Sequence, residues 1–280
     1  MSRARAGRLA RDLLVVGTTF ALLLGLAFPT LWILLTSIRP EAEVFSDTFR
    51  LISSTLTLES YRTLLAKTTF PTYIRNSLVV SLITTLTSVA VSLLAAYSFS
   101  RRRFRFRGAL LIMVVFSQLF PYVILITPIY VFFYHLRLVN TLLGLIIAYI
   151  ATTVPFCVYM LLGYLDSVPR ELDEAAIVDG CSTLRVICSV VLPVAWPGVA
   201  ATAIYSFAQA WNEYLIALTL VTRNELKTVP VGLASFFGEY TTRWDLVMTA
   251  SVLATVPTLI IFLVLQRHLV SGLATGAVKQ

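Results

Sequence analysis

The chain contains six long stretches without a single Lys, Arg, Asp or Glu. Each stretch is longer than the about 18–20 residues that a helix needs to cross about 30 Å of hydrocarbon. These stretches are Leu13–Ile38, Asn76–Ser100, Gly108–Leu136, Leu138–Leu165, Val186–Asn212 and Leu246–Gln266. The pattern predicts six transmembrane helices. We expect the fifth to start late, near Pro197, and to run past Glu213 to about Thr222.

Hydrophobic residues make up 58% of the chain and charged residues only 13%, whereas a typical soluble domain has about 45–50% and about 25%. This composition excludes a disordered chain, which needs low hydrophobicity and high charge. It also argues against a soluble globular enzyme, because 280 residues could not hide so much apolar surface from water. The predicted fold class is therefore an all-α, polytopic membrane protein.

The arginines predict which side of the membrane the ends of the spans face. An N-terminal arm, residues 1–12, contains four arginines, and the tight connection over residues 101–107 contains five. Because short loops rich in Lys and Arg stay in the cytoplasm, both termini are expected to be cytoplasmic. The apolar run after the arm exceeds the about 7–15 residues of a signal-peptide core, so we expect an uncleaved anchor. These clusters beside membrane ends also explain the net charge of +8, and nucleic acid is not an expected partner.

Beyond the arm, residues 13–280 are predicted to form one transmembrane domain with three prominent loops. Residues 39–75 and 223–245 are expected outside the cell, and residues 166–196 in the cytoplasm.

The residues needed for covalent chemistry are scarce. His135 and His268 lie near helix ends, outside any HExxH arrangement, and Glu213 is the only acid within a predicted span. The three cysteines have no metal-ligand spacing and are interpreted as small packing residues. No GxxxxGK[ST] phosphate loop occurs. We therefore expect no catalytic residue, cofactor or metal site, and a transport protein rather than an enzyme.

The loop between spans four and five predicts a short helix that ends at Gly180, a residue that can adopt positive φ. Asp166 or Ser167 is the expected N-cap, with Pro169 in the first turn. A second helix should follow from Ser182, and Pro193 and Pro197 mark its junction with span five.

One face of the first helix is predicted to contain Leu172, Ala175, Ala176 and Asp179. Two alanines leave a shallow surface on which another protein could approach closely, and the surrounding acids could pair with basic residues. The alternative is an amphipathic helix lying on the membrane, although the anionic inner leaflet would repel its acidic residues.

The run from Glu174 to Gly180, EAAIVDG, followed by Leu192-Pro193, resembles the EAA motif of binding-protein-dependent ABC importer permeases. Trp211–Tyr214 and Thr275–Lys279 further resemble the maltose-type carbohydrate branch of that family. The likeness extends over nearly the whole chain. One departure is Cys181, where the family commonly has Ala.

The resemblance implies a subunit of the bacterial cytoplasmic (inner) membrane that imports a sugar or sugar derivative. It implies a heterodimer with a second homologous permease, two ATPase subunits bound beneath, and an extracytoplasmic solute-binding protein that delivers the solute. ATP hydrolysis would occur in the partner ATPase. The implied ATPase-coupling residues are Glu174, Ala175, Ala176, Asp179, Gly180, Leu192 and Pro193.

The solute path is predicted from polar residues within apolar spans. Pro121 and Pro128 are expected to interrupt span three. The candidate path residues are Gln118, Tyr122, Asn212 and Glu213. The alternative is that these groups pack between helices or against the partner permease.

The external loop over residues 223–245 combines glycines with several aromatic residues. These are Gly232, Gly238, Phe236, Phe237, Tyr240 and Trp244. In the resembling family this loop faces the docked binding protein, whereas anchoring at the membrane interface is the alternative.

Two other functions remain open at the level of sequence. A self-contained secondary carrier or channel would need no ATPase, and a non-transporting assembly protein would tolerate changes along the solute path.

Overall fold

The computed structural model describes residues 3–44, 53, 55–237 and 242–276. Within them the chain forms fourteen α-helices, with a π-helix at Ile187–Val191 and a 3-10 turn at Asn224–Leu226. The α-helices are α1 (Arg3–Ser37), α2 (Glu41–Val44), α3 (Glu59–Lys67), α4 (Phe70–Arg101), α5 (Arg107–Ser117), α6 (Tyr122–His135), α7 (Leu142–Leu165), α8 (Glu171–Val178), α9 (Thr183–Val186), α10 (Leu192–Val194), α11 (Trp196–Asn212), α12 (Leu215–Leu220), α13 (Val229–Ala234) and α14 (Trp244–Gly276). The described residues contain no β-strand, only an isolated bridge between Phe237 and Thr242.

The number of apolar helices agrees with the six predicted spans. Four helices, α1, α4, α7 and α14, are each long and apolar enough to cross a membrane. Two further pairs of consecutive helices are long and apolar enough to cross a membrane when each pair is taken together. These are α5 with α6, which meet at a bend of 98°, and the segment Thr183–Val194 with α11, which meet at a bend of 86°. The all-α membrane fold is confirmed, and the spans number six when each bent pair crosses once.

The bend in the third span lies at Pro121. This residue has an extended conformation at the N-cap of α6, with φ −63° and ψ 101°. Proline has no N–H to donate and disfavours a helical conformation in the residue before it, so the helix stops before Pro121 and starts again after it. Pro128 lies within α6, and the expectation that it also interrupts the span is wrong.

The fifth span differs from its prediction at one end. Its straight part begins at Trp196, close to the expected Pro197, but α11 ends at Asn212. Glu213 is extended, and its carboxylate accepts hydrogen bonds from the N–H groups of Ile216 at 2.7 Å and Ala217 at 3.0 Å. The predicted run past Glu213 is therefore interrupted at this residue and continues as α12 to Leu220, because Glu213 satisfies the free N–H groups that start α12.

Both terminal helices extend beyond their predicted limits. Helix α1 begins at Arg3, so residues of the expected arm belong to the same helix as the first span. Helix α14 begins at Trp244 and ends at Gly276, although charge-free spacing alone predicted Leu246–Gln266. A charge stops an apolar run but does not stop helical hydrogen bonding.

The chain divides into two compact units. The first unit comprises Met1–Thr68 with Phe236–Leu253, and the second comprises Thr69–Ser235 with Ala254–Gln280.

The first unit contains a network of polar contacts around Asp245. Arg243 contacts Glu41 at 3.1 Å and Asp245 at 2.9 Å, while the Ser60 hydroxyl donates to Asp245 at 3.3 Å. The hydrogen bond to Asp245 raises the pKa of Arg243. A cavity of about 260 Å³ lies beside these residues.

The second unit packs α4, α7 and α11 together through a seam of small hydroxyl side chains. Ser88 and Thr153 form a buried hydrogen bond of 2.9 Å, and Ser92 donates to the Val154 carbonyl at 3.3 Å. Thr202 in α11 is also fully buried and bonds within its own helix. Small side chains allow membrane helices to approach closely, and their hydroxyls bond across the interface.

Two apolar clusters flank this seam. One, the Tyr149 cluster, includes Val80, Leu145, Tyr149, Ile216 and Leu220. The other, the Leu161 cluster, includes Tyr97, Leu161, Leu165, Ala176, Ile187 and Val191. The Leu161 cluster joins the predicted coupling loop to the spans.

The contact between Gly232 and Tyr73 generates a stability prediction. A Cβ at Gly232 would lie 2.0 Å from Cδ2 of Tyr73, whose side chain is buried and whose hydroxyl donates to Asn224 at 2.7 Å. We expect Gly232→Ala to cost about 1–3 kcal/mol, because the ring has no space into which to move. Thermal melting of the detergent-solubilised protein measures the effect. Gly163→Ala is the control, since nothing lies within 4 Å of its Cβ; equal melting temperatures would contradict the prediction.

Candidate functional site

Helix α8 begins later than the sequence pattern suggested. The expected N-caps are engaged elsewhere: Asp166 accepts a hydrogen bond from the Ser100 hydroxyl at 2.6 Å, and Ser167 donates to the Tyr164 carbonyl at 2.6 Å. Arg170 holds the N-cap position without a capping side-chain bond, and the helix runs from Glu171. Capping by Asp166 or Ser167 is therefore wrong.

The end of α8 is formed as predicted. Gly180 has φ +81°, its N–H donates to the Ile177 carbonyl at 3.0 Å, and the Cys181 N–H donates to the Ala176 carbonyl at 3.0 Å. This pair of bonds is the Schellman arrangement, in which a left-handed residue closes the helix. Glycine is favoured here by its backbone conformation and not by lack of space, since nothing lies within 4 Å of a Cβ at Gly180.

The buried side of α8 consists of Asp173 and Ala176. Ala176 is 8% exposed and packs in the Leu161 cluster. The sequence placed Ala176 on one face with Leu172, Ala175 and Asp179, but those three residues are exposed. That assignment is wrong for Ala176, because periodicity alone does not reveal which side of a short helix meets the protein.

The exposed side of α8 is more apolar than the sequence analysis recognised. Leu172 is 41% exposed, Ile177 56% and Val178 87%. Glu174 and Asp179 are also exposed and place carboxylates beside these apolar side chains. The signal in the sequence was the run Ile177-Val178 in an otherwise acidic loop.

Asp173 is held by an arginine that the sequence analysis assigned only to topology. Nε of Arg101, the last residue of α4, lies 2.7 Å from Oδ2 of Asp173, and the two side chains are only 8% and 6% exposed. A buried ion pair therefore joins α4 to α8.

The second helix of the loop is irregular. The Ser182 hydroxyl accepts a bond from the Arg185 N–H at 3.4 Å and begins α9, which confirms the predicted start. The π-helix follows, in which the Leu192 N–H reaches back to the Ile187 carbonyl. Leu192 is half-buried against the Leu161 cluster, and Pro193 is exposed. These two residues lie at the junction with α11 and not on α8.

The four predicted solute-path residues lie at the two helix breaks. Gln118 is exposed at the α5–α6 bend, with Nε2 3.5 Å from the Thr152 carbonyl, and Tyr122 begins α6 with 42% exposure. Asn212 is exposed and bonds to the Ala208 carbonyl of its own helix at 2.8 Å. Glu213 has a structural task, since it caps α12.

Glu213 acts electrostatically on Tyr122 and on Tyr149. Among the described residues the Tyr149 hydroxyl makes no hydrogen bond. Tyr149 is only 1% exposed. Sequence reasoning missed Tyr149, because an aromatic residue in an apolar span carries no signal of its neighbours.

The described part of the external loop is fastened to the start of α4. The Tyr73 hydroxyl bonds to Asn224, and Nδ2 of Asn76 donates to the carbonyls of Glu225 at 2.9 Å and Lys227 at 3.1 Å. Two predicted loop residues, Gly238 and Tyr240, lie outside the described residues, as does Ala277–Lys279 of the tail motif.

The cysteines differ in their surroundings. Cys157 is buried, Cys181 is half-buried against the Leu161 cluster, and Cys188 is exposed. The interpretation as packing residues is therefore wrong for Cys188. In the described part of the chain, no three His, Cys, Asp or Glu residues come together as metal ligands would.

Comparison with known proteins identifies similar permeases. The chain is 36% identical over 274 residues to the trehalose/maltose transport system permease protein MalG of Thermococcus litoralis, covering 97% of this chain and 98% of that protein. It is 33% identical to the sulfoquinovosyl glycerol transport system permease protein SmoH of Agrobacterium fabrum, over 90% of this chain and 88% of that protein. It is also 33% identical to the trehalose transport system permease protein SugB of Mycobacterium tuberculosis, over 96% of this chain and 95% of that protein.

The fold is also found in a solved structure. A chain of a bacterial ABC transporter involved in the import of the acidic polysaccharide alginate superimposes with a TM-score of 0.80. The identity is 22%, and the match covers 95% of this chain and 98% of that one.

Residues 88–275 match the family described as binding-protein-dependent transport system inner membrane component. That range contains α8, Gly180 and the helix breaks at Pro121 and Glu213. The resemblance of the Glu174–Gly180 motif is confirmed, and the chain belongs to the family of inner-membrane components of binding-protein-dependent ABC transport systems.

Proposed function

We propose that this chain is the transmembrane permease subunit of an ATP-driven importer that moves a sugar or sugar derivative across the inner membrane. A separate ATPase would drive it through α8. The observation that carries the proposal is that Asp173 and Ala176 hold α8 along one side, while Val178 is exposed on the opposite side and Leu172 and Ile177 are exposed on the two flanks. The printed functions of the relatives, which include trehalose/maltose and sulfoquinovosyl glycerol transport, support a sugar-like solute.

The exposed side of α8 suits a protein partner. Burying one large apolar side chain contributes about 1.5–3 kcal/mol, so Val178 offers a centre for a small docking surface, with Leu172 and Ile177 on its two flanks. The carboxylates of Glu174 and Asp179 lie at its edge, where they would select a partner with basic residues. Ala175 allows close approach, and Gly180 fixes where the surface ends.

The position of α8 supports its assignment to the cytoplasmic face. The Arg101–Asp173 ion pair places α8 at the same end of the second unit as the arginine-rich connection over residues 101–107. Such clusters stay in the cytoplasm, where ATP is available. Both termini are proposed to be cytoplasmic for the same reason.

The proposed assembly contains a second homologous permease, two ATPase subunits and an extracytoplasmic solute-binding protein. The alginate importer has been solved in complex with a pentasaccharide-bound periplasmic protein. Within this chain, no residue in the most apolar 18-residue stretch of α1 is buried. Lipid or the second permease would cover that surface.

The solute path is proposed to pass the two helix breaks, with Gln118, Tyr122, Asn212 and Glu213 beside it. Interrupted helices are tolerated at membrane depth only where protein or a water-filled cavity surrounds them. The two breaks supply hydrogen-bonding groups together with an aromatic ring, which is the chemistry that a sugar requires.

Substitution of Gly180 tests the geometry of the coupling helix. We expect Gly180→Val to abolish ATP-dependent uptake, because a β-branched residue at φ +81° is strained by about 1–2 kcal/mol and would move the end of α8. Gly180→Asn is the matched control, since Asn tolerates the left-handed conformation. Uptake into vesicles at equal membrane abundance is the measurement, and uptake by the Val variant equal to that of the Asn variant would contradict the prediction.

Substitution of Val178 tests the docking surface. Val178 is 87% exposed, so Val178→Lys should leave the fold intact while it removes apolar contact and adds a charge. We expect recovery of the ATPase in mild-detergent purification to fall about tenfold or more, whereas Val178→Ile should retain it. If the unsubstituted chain is purified without an ATPase yet transports solute, the protein is a secondary carrier.

Substitution of Asn212 tests the solute path. Its side chain bonds only within α11 among the described contacts, so Asn212→Ala should leave the melting temperature nearly unchanged. We expect the uptake rate at saturating solute to fall several-fold. Thr219→Ala is the control, because Thr219 likewise bonds within its own helix, to the Leu215 carbonyl. Equal uptake by the two variants would remove Asn212 from the path.

A further inference from the structure

Arg101 makes an unusually complete set of contacts for a residue at the end of a membrane span. Besides its 2.7 Å bond from Nε to Asp173, Nη1 donates to the Leu165 carbonyl at 3.1 Å and Nη2 donates to the Val168 carbonyl at 3.0 Å. Nη1 also lies 3.2 Å from the Ser100 hydroxyl. One planar guanidinium therefore connects α4 with α8 and with the end of α7.

The two carbonyls explain why an arginine is needed. The last carbonyl groups of a helix have no partner within the helix. The Leu165 carbonyl, at the end of α7, accepts from the Val168 N–H at 3.1 Å and from Arg101 as a second donor. An arginine offers five donors in a fixed fork, whereas a lysine offers one point charge. The fork bonds the end of α7 and the carboxylate of Asp173 at the same time. Because the pair is buried, loss of either partner would leave the other charge without compensation.

A second set of bonds surrounds the same point. Nη2 of Arg170, the N-cap residue of α8, donates to the Ser100 carbonyl at 2.7 Å. The Ser100 hydroxyl donates to Asp166, which follows the end of α7, at 2.6 Å. The last turn of α4 thus holds both the first residues of α8 and the residues that connect α8 to α7.

The neighbouring arginines have different positions. Arg102, Arg103 and Arg105 are exposed, while Arg101 is largely buried at the side chain. Arg107 is half-buried, but its Nε donates to the Phe99 carbonyl of α4 itself, at 2.6 Å. The arginine-rich connection therefore contains residues with two different roles, although all five look alike in the sequence.

We propose that Arg101 is a positioning residue for coupling. Its bonds make α8 and the adjoining ends of α4 and α7 move together as one rigid body. The inference rests on the proposed function of α8 as the ATPase contact. The chain joins α8 to the spans only through the short connections of residues 166–170 and 179–182. A displacement of α8 would bend these connections if nothing else held the helix. With Arg101 in place, the displacement reaches two spans directly.

The test compares Arg101→Gln with Arg102→Gln in the complete importer, reconstituted in vesicles with its ATPase and binding protein. The two substitutions remove the same charge from adjacent residues. We expect the ATPase to stay bound to the Arg101→Gln complex, because the exposed side of α8 is unchanged. Solute imported per ATP hydrolysed should fall at least about fivefold. Arg102→Gln should retain the ratio of the unsubstituted importer.

The Arg101→Lys variant adds a graded measurement. Lys keeps the charge and can pair with Asp173, but it cannot also bond both carbonyls. We expect an import-to-ATP ratio between those of the Gln variant and the unsubstituted chain. An equal ratio in Arg101→Gln and Arg102→Gln would overturn the inference while leaving the proposed function intact. An unsubstituted chain that binds no ATPase would instead overturn the proposed function.

Cross-linking tests the single body without removing Arg101. Ser100→Cys with Asp166→Cys, in a chain whose three native cysteines are replaced by serine, introduces thiols at two positions whose native side-chain oxygens, Ser100 Oγ and Asp166 Oδ1, lie 2.6 Å apart. A short bifunctional thiol reagent should join them, and uptake should equal that of the same variant before treatment, because the two ends do not separate during transport. Failure to cross-link, or uptake blocked by the reagent and restored by cleaving it, would contradict the inference.

Discussion

Every feature of this protein is constrained by the need to satisfy backbone N–H and C=O groups where water is absent. Within hydrocarbon each unpaired group is costly, so the chain is helical and each helix break requires a specific device. Glu213 supplies its carboxylate to the N–H groups that start α12, and Arg101 donates to the Leu165 carbonyl at the end of α7 and to the Val168 carbonyl beyond it. Gly180 closes α8 by a left-handed turn. Glu213 and Gly180, which look functional in the sequence, thus each have a structural task.

The interior of the second unit meets the same constraint with small hydroxyl groups. Ser88, Ser92 and Thr153 allow α4 and α7 to approach closely, and their hydroxyls bond to each other or to a carbonyl. Apolar clusters lie on both sides of this seam. Close packing through small side chains allows the spans to move as stiff elements. A transporter that opens alternately to the two sides of the membrane requires such elements.

The proposed coupling function rests on the one-sided packing of a short helix. Ala176 and Asp173 attach α8 to the second unit, one by close apolar packing and the other by an ion pair. The same geometry leaves Ile177 and Val178 without protein contact to cover them in this chain. A helix that is held on one side and uncovered on the other is suited to receive a partner and to pass its movement to the spans.

The sequence by itself determined the features that depend on local chemistry. Charge-free length indicated six spans, Gly180 indicated the end of α8, and the Glu174–Gly180 motif indicated the family. Tertiary structure alone decided that Ala176 is buried, that Arg101 pairs with Asp173, and that Tyr149 is buried. The pair at 101 and 173 is separated by 72 residues, and five arginines near the first position look equivalent until packing selects one. Hydropathy and backbone preference are properties of neighbouring residues, whereas burial and pairing depend on which distant helices come together.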